Sequence, residues 1–290
     1  MKEYVKFAMK GGGSMVSDTA LLLVVEANEN TGDLINKYGT GRTSLPYERE
    51  AIWCIKSWRE HAGEYKDIPI YAINVNGNTP SMATQMFFEE YEVRYKQIYH
   101  PETRLFPCGY YNVPFGCMIL EQDFVEESNL IHIDLDMYVI KSIDQKLFEM
   151  SEDCKCKIAV NEWRPTGNFP KGTFDLYPFE IATNFMYSKR ESNFYKDWWN
   201  NLDNFLINND GDERYSVREL TIFEERICDM MYFNGGYPFC FFEPGYQINH
   251  EEQINKDAYF IHCHLDNSNR FKNLVSLYLE ERVNASKLAQ

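Results

Sequence analysis

The sequence predicts an α/β protein with a mixed, mainly parallel central sheet flanked by helices. Two observations carry this. Apolar runs of strand length alternate with segments of helical period from residue 19 to residue 140, which is the pattern of a parallel sheet covered by helices. The 290 residues are 44% hydrophobic and 16% aromatic, so the chain can bury a sizeable core and is not globally disordered.

Each element follows from its own residues. TALLLVVEA (19–27) is a β-rich apolar run and reads as a central strand. After a glycine-dotted polar loop, LPYEREAIWCIKSWREHAG has an early Pro, an apolar stripe of Ile52, Trp53 and Ile55, and a terminal Gly63, so it reads as a helix. IPIYAINVNG (68–77) is the second strand, TPSMATQMFFEEYE a helix and VRYKQIYH the third strand. VPFGCMILEQDFVEE predicts a helix over 113–127, leading into a strand within NLIHIDLDMYVI (129–140). Beyond 140 the alternation loosens: SIDQKLFEM is a short helix, CKIAVNEW and EIATNFMYSK are strands, and SNFYKDWWNNLDNFL and SVRELTIFEERICDMMYF are helices. AYFIHCHL (258–265) is a late strand, and NLVSLYLEERVNASKLA predicts a closing helix. With no repeat or low-complexity linker, the expectation is one α/β domain: a regular half over about 19–140, an irregular half over about 141–265 and a C-terminal helix over 266–290.

The formal net charge of -15 disfavours nucleic acid as a partner, since a basic footprint is needed to displace counterions. If the ligand is an anion, a local device must overcome the repulsion, and a metal ion is the obvious one. The first apolar run begins at Ala20, too short and too far in for a secretory signal, and no stretch reaches the roughly 18 apolar residues of a membrane span. The eight cysteines are scattered without paired C-x-x-C spacing, so a zinc site is not expected. Buried reduced thiols in a cytoplasmic protein are. KGGGS (10–14) lacks the spacing of a phosphate loop.

Asp134 and Asp136 interrupt an apolar strand at its end. In a parallel sheet that is where ligands bind, and a period of two would put both carboxylates on one side of the chain. Unpaired, they would raise each other's pKa. A divalent cation removes the conflict, and carboxylate oxygens suit Mn²⁺ or Mg²⁺, which also take phosphate oxygens. The bland reading is one capping and one solvated Asp, because a bare D-x-D is common by chance. His262 and His264 share one face of the late strand, and either can offer an imidazole nitrogen. His132 lies deeper and reads as core or as a support for the ligands.

A β/α half followed by an apolar strand and D-x-D resembles the Rossmann-like GT-A fold of nucleotide-sugar glycosyltransferases. YYNVPFGCMILEQDFVEESNLIHIDLDM is similar to the stretch in several of those families where Asn-x-Pro opens a helix running into the D-x-D strand; Asn112 and Pro114 match it. Peptidyl serine galactosyltransferases and hydroxyproline arabinosyltransferases show a like arrangement, with Lys where this chain has Val113. YFIHCHLDN resembles the late strand that supplies a third metal ligand in glycogenin-like enzymes, although their following Gly and Lys-Pro-Trp are absent. The specific motifs cover about 40 residues of an architectural likeness over 20–265.

The resemblance implies a metal site of Asp134, Asp136 and His262, with a UDP-sugar as donor. On the donor side it points to Val25, Glu26 and Asn28 after the first strand, Asn76 after the second, Arg104 as a fork of donors to a diphosphate, and Tyr111, Asn112 and Leu135. Asn161, Glu162 and Trp163 follow the fifth strand where an acceptor sugar can dock, and Thr183 and Asn184 lie where related enzymes touch the donor sugar. Glu224 and Glu225 are candidate bases on a helix where Glu225 and Asp229 share a face; a solvated acidic face is the alternative. The expected activity is transfer of a hexose or pentose to a hydroxyl of a glycan, a protein or a small molecule, with the late histidine favouring retention. A metal-dependent nucleotidyl- or phosphotransferase and a non-catalytic nucleotide-sugar-binding protein are the alternatives.

Overall fold

A computed structural model describes residues 15–25, 47–75, 79–99, 112–161, 179–208, 223–243, 245–248 and 257–262. The strands are β1 (Thr19–Val24), β2 (Ile70–Val75), β3 (Val93–Ile98), β4 (Asn129–Ile133), β5 (Met137–Val139), β6 (Cys156–Asn161), β7 (Glu180–Lys189), β8 (Phe239–Phe241), β9 (Gln247–Ile248) and β10 (Phe260–His262). The helices are α1 (Tyr47–His61), α2 (Met82–Glu90), α3 (Asn112–Ile119), α4 (Phe194–Asn208) and α5 (Phe223–Phe233).

Seven strands form one sheet in the order β3-β2-β1-β4-β7-β6-β8. β1 to β4 are parallel, β7 runs antiparallel between β4 and β6, and β8 is parallel to β6. The expected mixed, mainly parallel sheet is therefore present. Successive β1 residues point to opposite faces. Leu21, Leu23 and Val25 enter one core with Cys54, Ile55 and Trp58 of α1 and Phe87 and Phe88 of α2. Ala20, Leu22 and Val24 enter another with Phe115 of α3, Trp198 and Leu202 of α4, and Ile227 of α5. Helices thus cover both faces. Parallel crossovers keep one hand, so the chain steps outward to β3 across one face and must return to β4 across the other. The strand order reverses between β1 and β4, which opens a crevice at their carboxyl ends.

Gly116 sets how closely α3 approaches: a Cβ there would stand 2.9 Å from Val24 Cγ2 and 3.0 Å from Ile73 Cγ2. The predicted helix over 113–127 is shorter than expected. It gives way to one turn of π-helix, Leu120–Phe124, closed by the Val125 N–H on the Leu120 carbonyl at 3.0 Å. This turn places the Glu121 carboxylate under the start of α4, where it accepts from the N–H groups of Tyr195 and Lys196 at 3.3 and 3.0 Å.

Two further differences from expectation concern local structure. The segment at 142–150 forms only a 3₁₀ turn, Gln145–Phe148, begun by the Asp144 carboxylate accepting from the Lys146 N–H. Reduced thiols throughout were expected, yet Cys154 and Cys240 are joined as a disulfide. Parallel pairing of β6 with β8 brings the two together, an effect of register that spacing does not reveal. Cys54, Cys117, Cys156 and Cys228 are free and buried. Among the described residues no helix is long and apolar enough to cross a membrane. The closing helix expected over 273–289 lies outside the described residues.

Candidate metal centre

β4 ends at Ile133, one residue before the first carboxylate. Asp134 makes one last sheet contact, its N–H donating to the Asn184 carbonyl of β7 at 2.9 Å. The chain then turns, and the Met137 N–H returns to the Asp134 carbonyl at 3.1 Å. Asp134-Leu135-Asp136 is therefore a turn and not the end of a strand, so the two carboxylates are not gathered by a period of two. They converge because β5 must leave the large sheet to join a second one, ordered β5-β10-β9.

That second sheet builds the site. β5 is anchored to α1 by the Val139 N–H donating to Ser57 Oγ at 3.0 Å. β10 pairs with it antiparallel, setting His262 opposite Met137, the residue after Asp136. His262 Nε2 consequently lies 3.3 Å from Asp136 Oδ1. Asp134, Asp136 and His262 each offer a ligand atom within 4.8 Å of the others. The Asp134 side chain is 36% exposed, while those of Asp136 and His262 are only 13% and 11% exposed, so the group opens to solvent on the Asp134 side.

The supports are buried. His132 Nε2 reaches Asp134 Oδ1 at 3.4 Å, and its Nδ1 meets Cys117 Sγ at 3.4 Å. On the neighbouring strands, Asn74 donates its side-chain N–H to the Val25 carbonyl at 2.8 Å and secures the end of β1. Asn184, 2% exposed, lies against His262, its amide nitrogen 3.0 Å from both His262 Nδ1 and Gln247 Oε1.

The carboxylates of the group act on the histidines beside them. Burial alone would lower the His262 pKa, but the charge and hydrogen bond of Asp136, with Asp134 and Glu225 further off, hold it above the usual histidine range. His132 behaves alike: burial opposes its charge, and contacts with Cys117 and Asp134 raise it to about 10. Two carboxylate oxygens and one imidazole nitrogen form a donor set that could hold a metal ion.

The other expected residues fall into three groups. Val25, buried, directly follows β1; Leu135 lies inside the turn, half-buried; Asn112 begins α3, buried; and Thr183 is buried on β7 beside Asn184. Glu225 is half-buried on α5, near enough for its charge to act on His262. Asn161 ends β6 and Glu224 lies in α5, but their side chains are outside the described residues. So are Glu26, Asn28, Asn76, Arg104, Tyr111, Glu162, Trp163 and His264. Asp229 corrects the acidic-face alternative: it is fully buried, paired with Arg226 at 2.8 Å, and accepts from the Ile181 N–H at 2.8 Å, tying α5 to β7. Sequence reasoning missed Gln247, in the two-residue strand β9, which is too short to show a periodicity, and the Cys117–His132 contact. For the second, the only signal was the placement of both residues in adjacent apolar elements.

No protein-family model matches the chain, and no curated protein matches it.

Proposed function

We propose that this protein is a metal-dependent glycosyltransferase that moves a sugar from a nucleotide sugar, first of all a UDP-sugar, to an acceptor hydroxyl. The observation that carries this reading is the convergence of Asp134, Asp136 and His262 beside the carboxyl ends of β1 and β4, where the strand order reverses. The Asn112-Val113-Pro114 opening of α3 and the late histidine, both features of the family resemblance, support it.

In this reading Asp134, Asp136 and His262 hold the ion. When bound, the ion supplies positive charge that neutralises a diphosphate leaving group. A chain with a net charge of -15 needs such a local counter-charge to hold that group at all. His132, buried behind Asp134 with its Nε2 3.4 Å from Asp134 Oδ1, adds positive charge beside that carboxylate when protonated. Val25, directly after β1, and the start of α3 at Asn112 flank the crevice for the nucleotide. Glu225 takes the proton of the acceptor hydroxyl if the configuration inverts. Retention, which the late histidine favours, requires no such base.

The test is release of nucleoside diphosphate from a panel of UDP- and GDP-sugars with Mn²⁺, Mg²⁺ or EDTA, using wild type and Asp136→Asn. One donor is expected to be hydrolysed slowly, with activity lost on chelation and reduced at least 100-fold by the substitution. Metal-independent turnover, or full activity of Asp136→Asn, would overturn the proposal. Metal-dependent UDP binding without turnover on any acceptor would favour a binding protein instead.

A further inference from the structure

The cysteines divide by place in the fold. Cys54, Cys117, Cys156 and Cys228 are free and lie in the two cores, away from any thiol in solution. Cys154 and Cys240 are bonded to each other at the margin of the large sheet, their Cα atoms 5.8 Å apart, an ordinary span for a disulfide. Cys154 stands two residues before β6, and Cys240 is the middle residue of β8. β8 has three residues and, among the described strands, pairs only with β6. Cys154 is 8% exposed, Cys240 is half-buried, and the turn beside them, Ser151-Glu152-Asp153, is exposed.

Both sulfurs already have the partners that free thiols would use. Cys154 Sγ lies 3.2 Å from the Cys156 carbonyl, which can accept from an S–H, and Cys240 Sγ lies 3.5 Å from Ser151 Oγ, whose hydroxyl can donate to a thiolate. While the bridge is closed Cys154 has no proton to give; opening supplies one. No internal thiol competes. Cys156 is fully buried in the core covered by α4 and α5, and burial holds its thiol well above the usual cysteine range. Opening therefore takes a thiol from outside. Without the bridge β8 is held by its pairing with β6, including the Phe242 N–H on the Ile158 carbonyl at 3.1 Å, and by the Lys155 N–H on the Pro238 carbonyl at 2.9 Å. So short a strand on an open edge belongs to the part of a sheet that opens most easily.

We propose that Cys154–Cys240 is a site of reversible thiol–disulfide exchange with an external dithiol, and that the closed bridge clamps the edge strand β8 against β6. A thiolate of the dithiol attacks Cys240 Sγ, the less buried sulfur. A sulfur–sulfur bond forms there as the Cys154–Cys240 bond breaks, and Cys154 leaves as a thiolate that takes a proton from water. The second thiol of the reagent, once deprotonated, attacks its own sulfur in the mixed disulfide and releases Cys240. The bridge gains two electrons and two protons, and the dithiol is oxidised to its disulfide. Closure is the reverse, with a low-molecular-weight disulfide as oxidant.

The test uses the full chain, first treated with oxidised glutathione and then exposed to dithiothreitol without denaturant. Thiols are trapped with iodoacetamide at intervals and located by peptide mass. Cys154 and Cys240 should become labelled together, at a rate proportional to dithiol concentration and at least about 10-fold above the global unfolding rate of the oxidised protein, while Cys54, Cys117, Cys156 and Cys228 stay unlabelled. Oxidised glutathione should restore the bridge. On opening, amide hydrogen exchange should quicken by about 10-fold or more over residues 239–242 and stay unchanged in β1 and β4. In Cys240→Ser the reductant should change nothing in that segment. A labelling rate independent of dithiol and equal to the unfolding rate would overturn the exchange, since the bridge would then open only in the unfolded chain. Free Cys154 and Cys240 after oxidised glutathione would remove the bridge itself, and exchange that quickens equally in every strand would overturn the clamp. These readings are made on wild type and decide the proposal even if Cys240→Ser does not fold.

Discussion

Glu121→Gln should remove about 2–3 kcal/mol of the stability that this protein loses between pH 5 and pH 8. Glu121 is 1% exposed and lies in the π-turn after α3. Burial raises its pKa; hydrogen bonds from the N–H groups of Lys196 and Tyr195, and from Gln122, oppose this, and the nearby Asp197 charge adds to it. The result is a carboxyl moved from 4.5 to about 7. Below 4.5 it is protonated whether the chain is folded or not, and its contribution is fully present. Between 4.5 and 7 the unfolded chain gives up the proton while the folded one keeps it, so stability falls as pH rises. The gap corresponds to about 3 kcal/mol, of which about 2–3 kcal/mol falls between pH 5 and pH 8. Glutamine keeps the shape and one acceptor for the α4 N–H groups without the charge. Urea unfolding at both pH values, with chelator present, should show the wild type losing about 2–3 kcal/mol more than the variant over this range. His132 and His262, whose raised pKa values also give stability below about 6.5 that is lost as pH rises, contribute equally to both proteins and cancel in the difference. Parallel pH profiles would refute the burial argument.

Two other consequences are open to measurement. Because His262 is held above the usual histidine range by the carboxylates around it, an incoming ion must displace its proton. Mn²⁺ affinity should rise with pH, and calorimetry in two buffers of different ionisation enthalpy should show protons released on binding, fewer as pH rises; no release at any pH would exclude His262 as a ligand. Asp229→Ala should destabilise the fold by about 3–5 kcal/mol, because it leaves the Arg226 guanidinium buried without that carboxylate and removes the acceptor of the Ile181 N–H. A loss under about 1 kcal/mol in denaturant unfolding would refute that account.

What could be read in the sequence is what is decided locally. β1, β2, β4 and β7 are apolar runs because both their faces are covered, and helix alternating with strand through β4 requires parallel crossovers. Asp134 and Asp136 were recognisable because they end the apolar run of β4 at the edge where parallel sheets bind ligands. The features that escaped are set by pairing between distant segments. The Asp134–Asp136 turn exists because β5 leaves for β10, the Cys154–Cys240 link exists because β6 pairs with β8, and Asn184 meets His262 only when β7 and β10 both close on the turn. Asp229 lies between the two classes. Arg226 three residues earlier was a visible partner, but the spacing of charges on a helix does not say which face is buried, and here packing of α5 on β7 decided it. The candidate centre combines both kinds of information. Local pattern supplies the two carboxylates, whereas the histidine and the amides behind it arrive from strands whose place in the fold no neighbouring residue specifies. The side chain delivered by long-range pairing is therefore the one most surrounded by partners from other strands, and His262 lies between Asp136 on one nitrogen and Asn184 on the other.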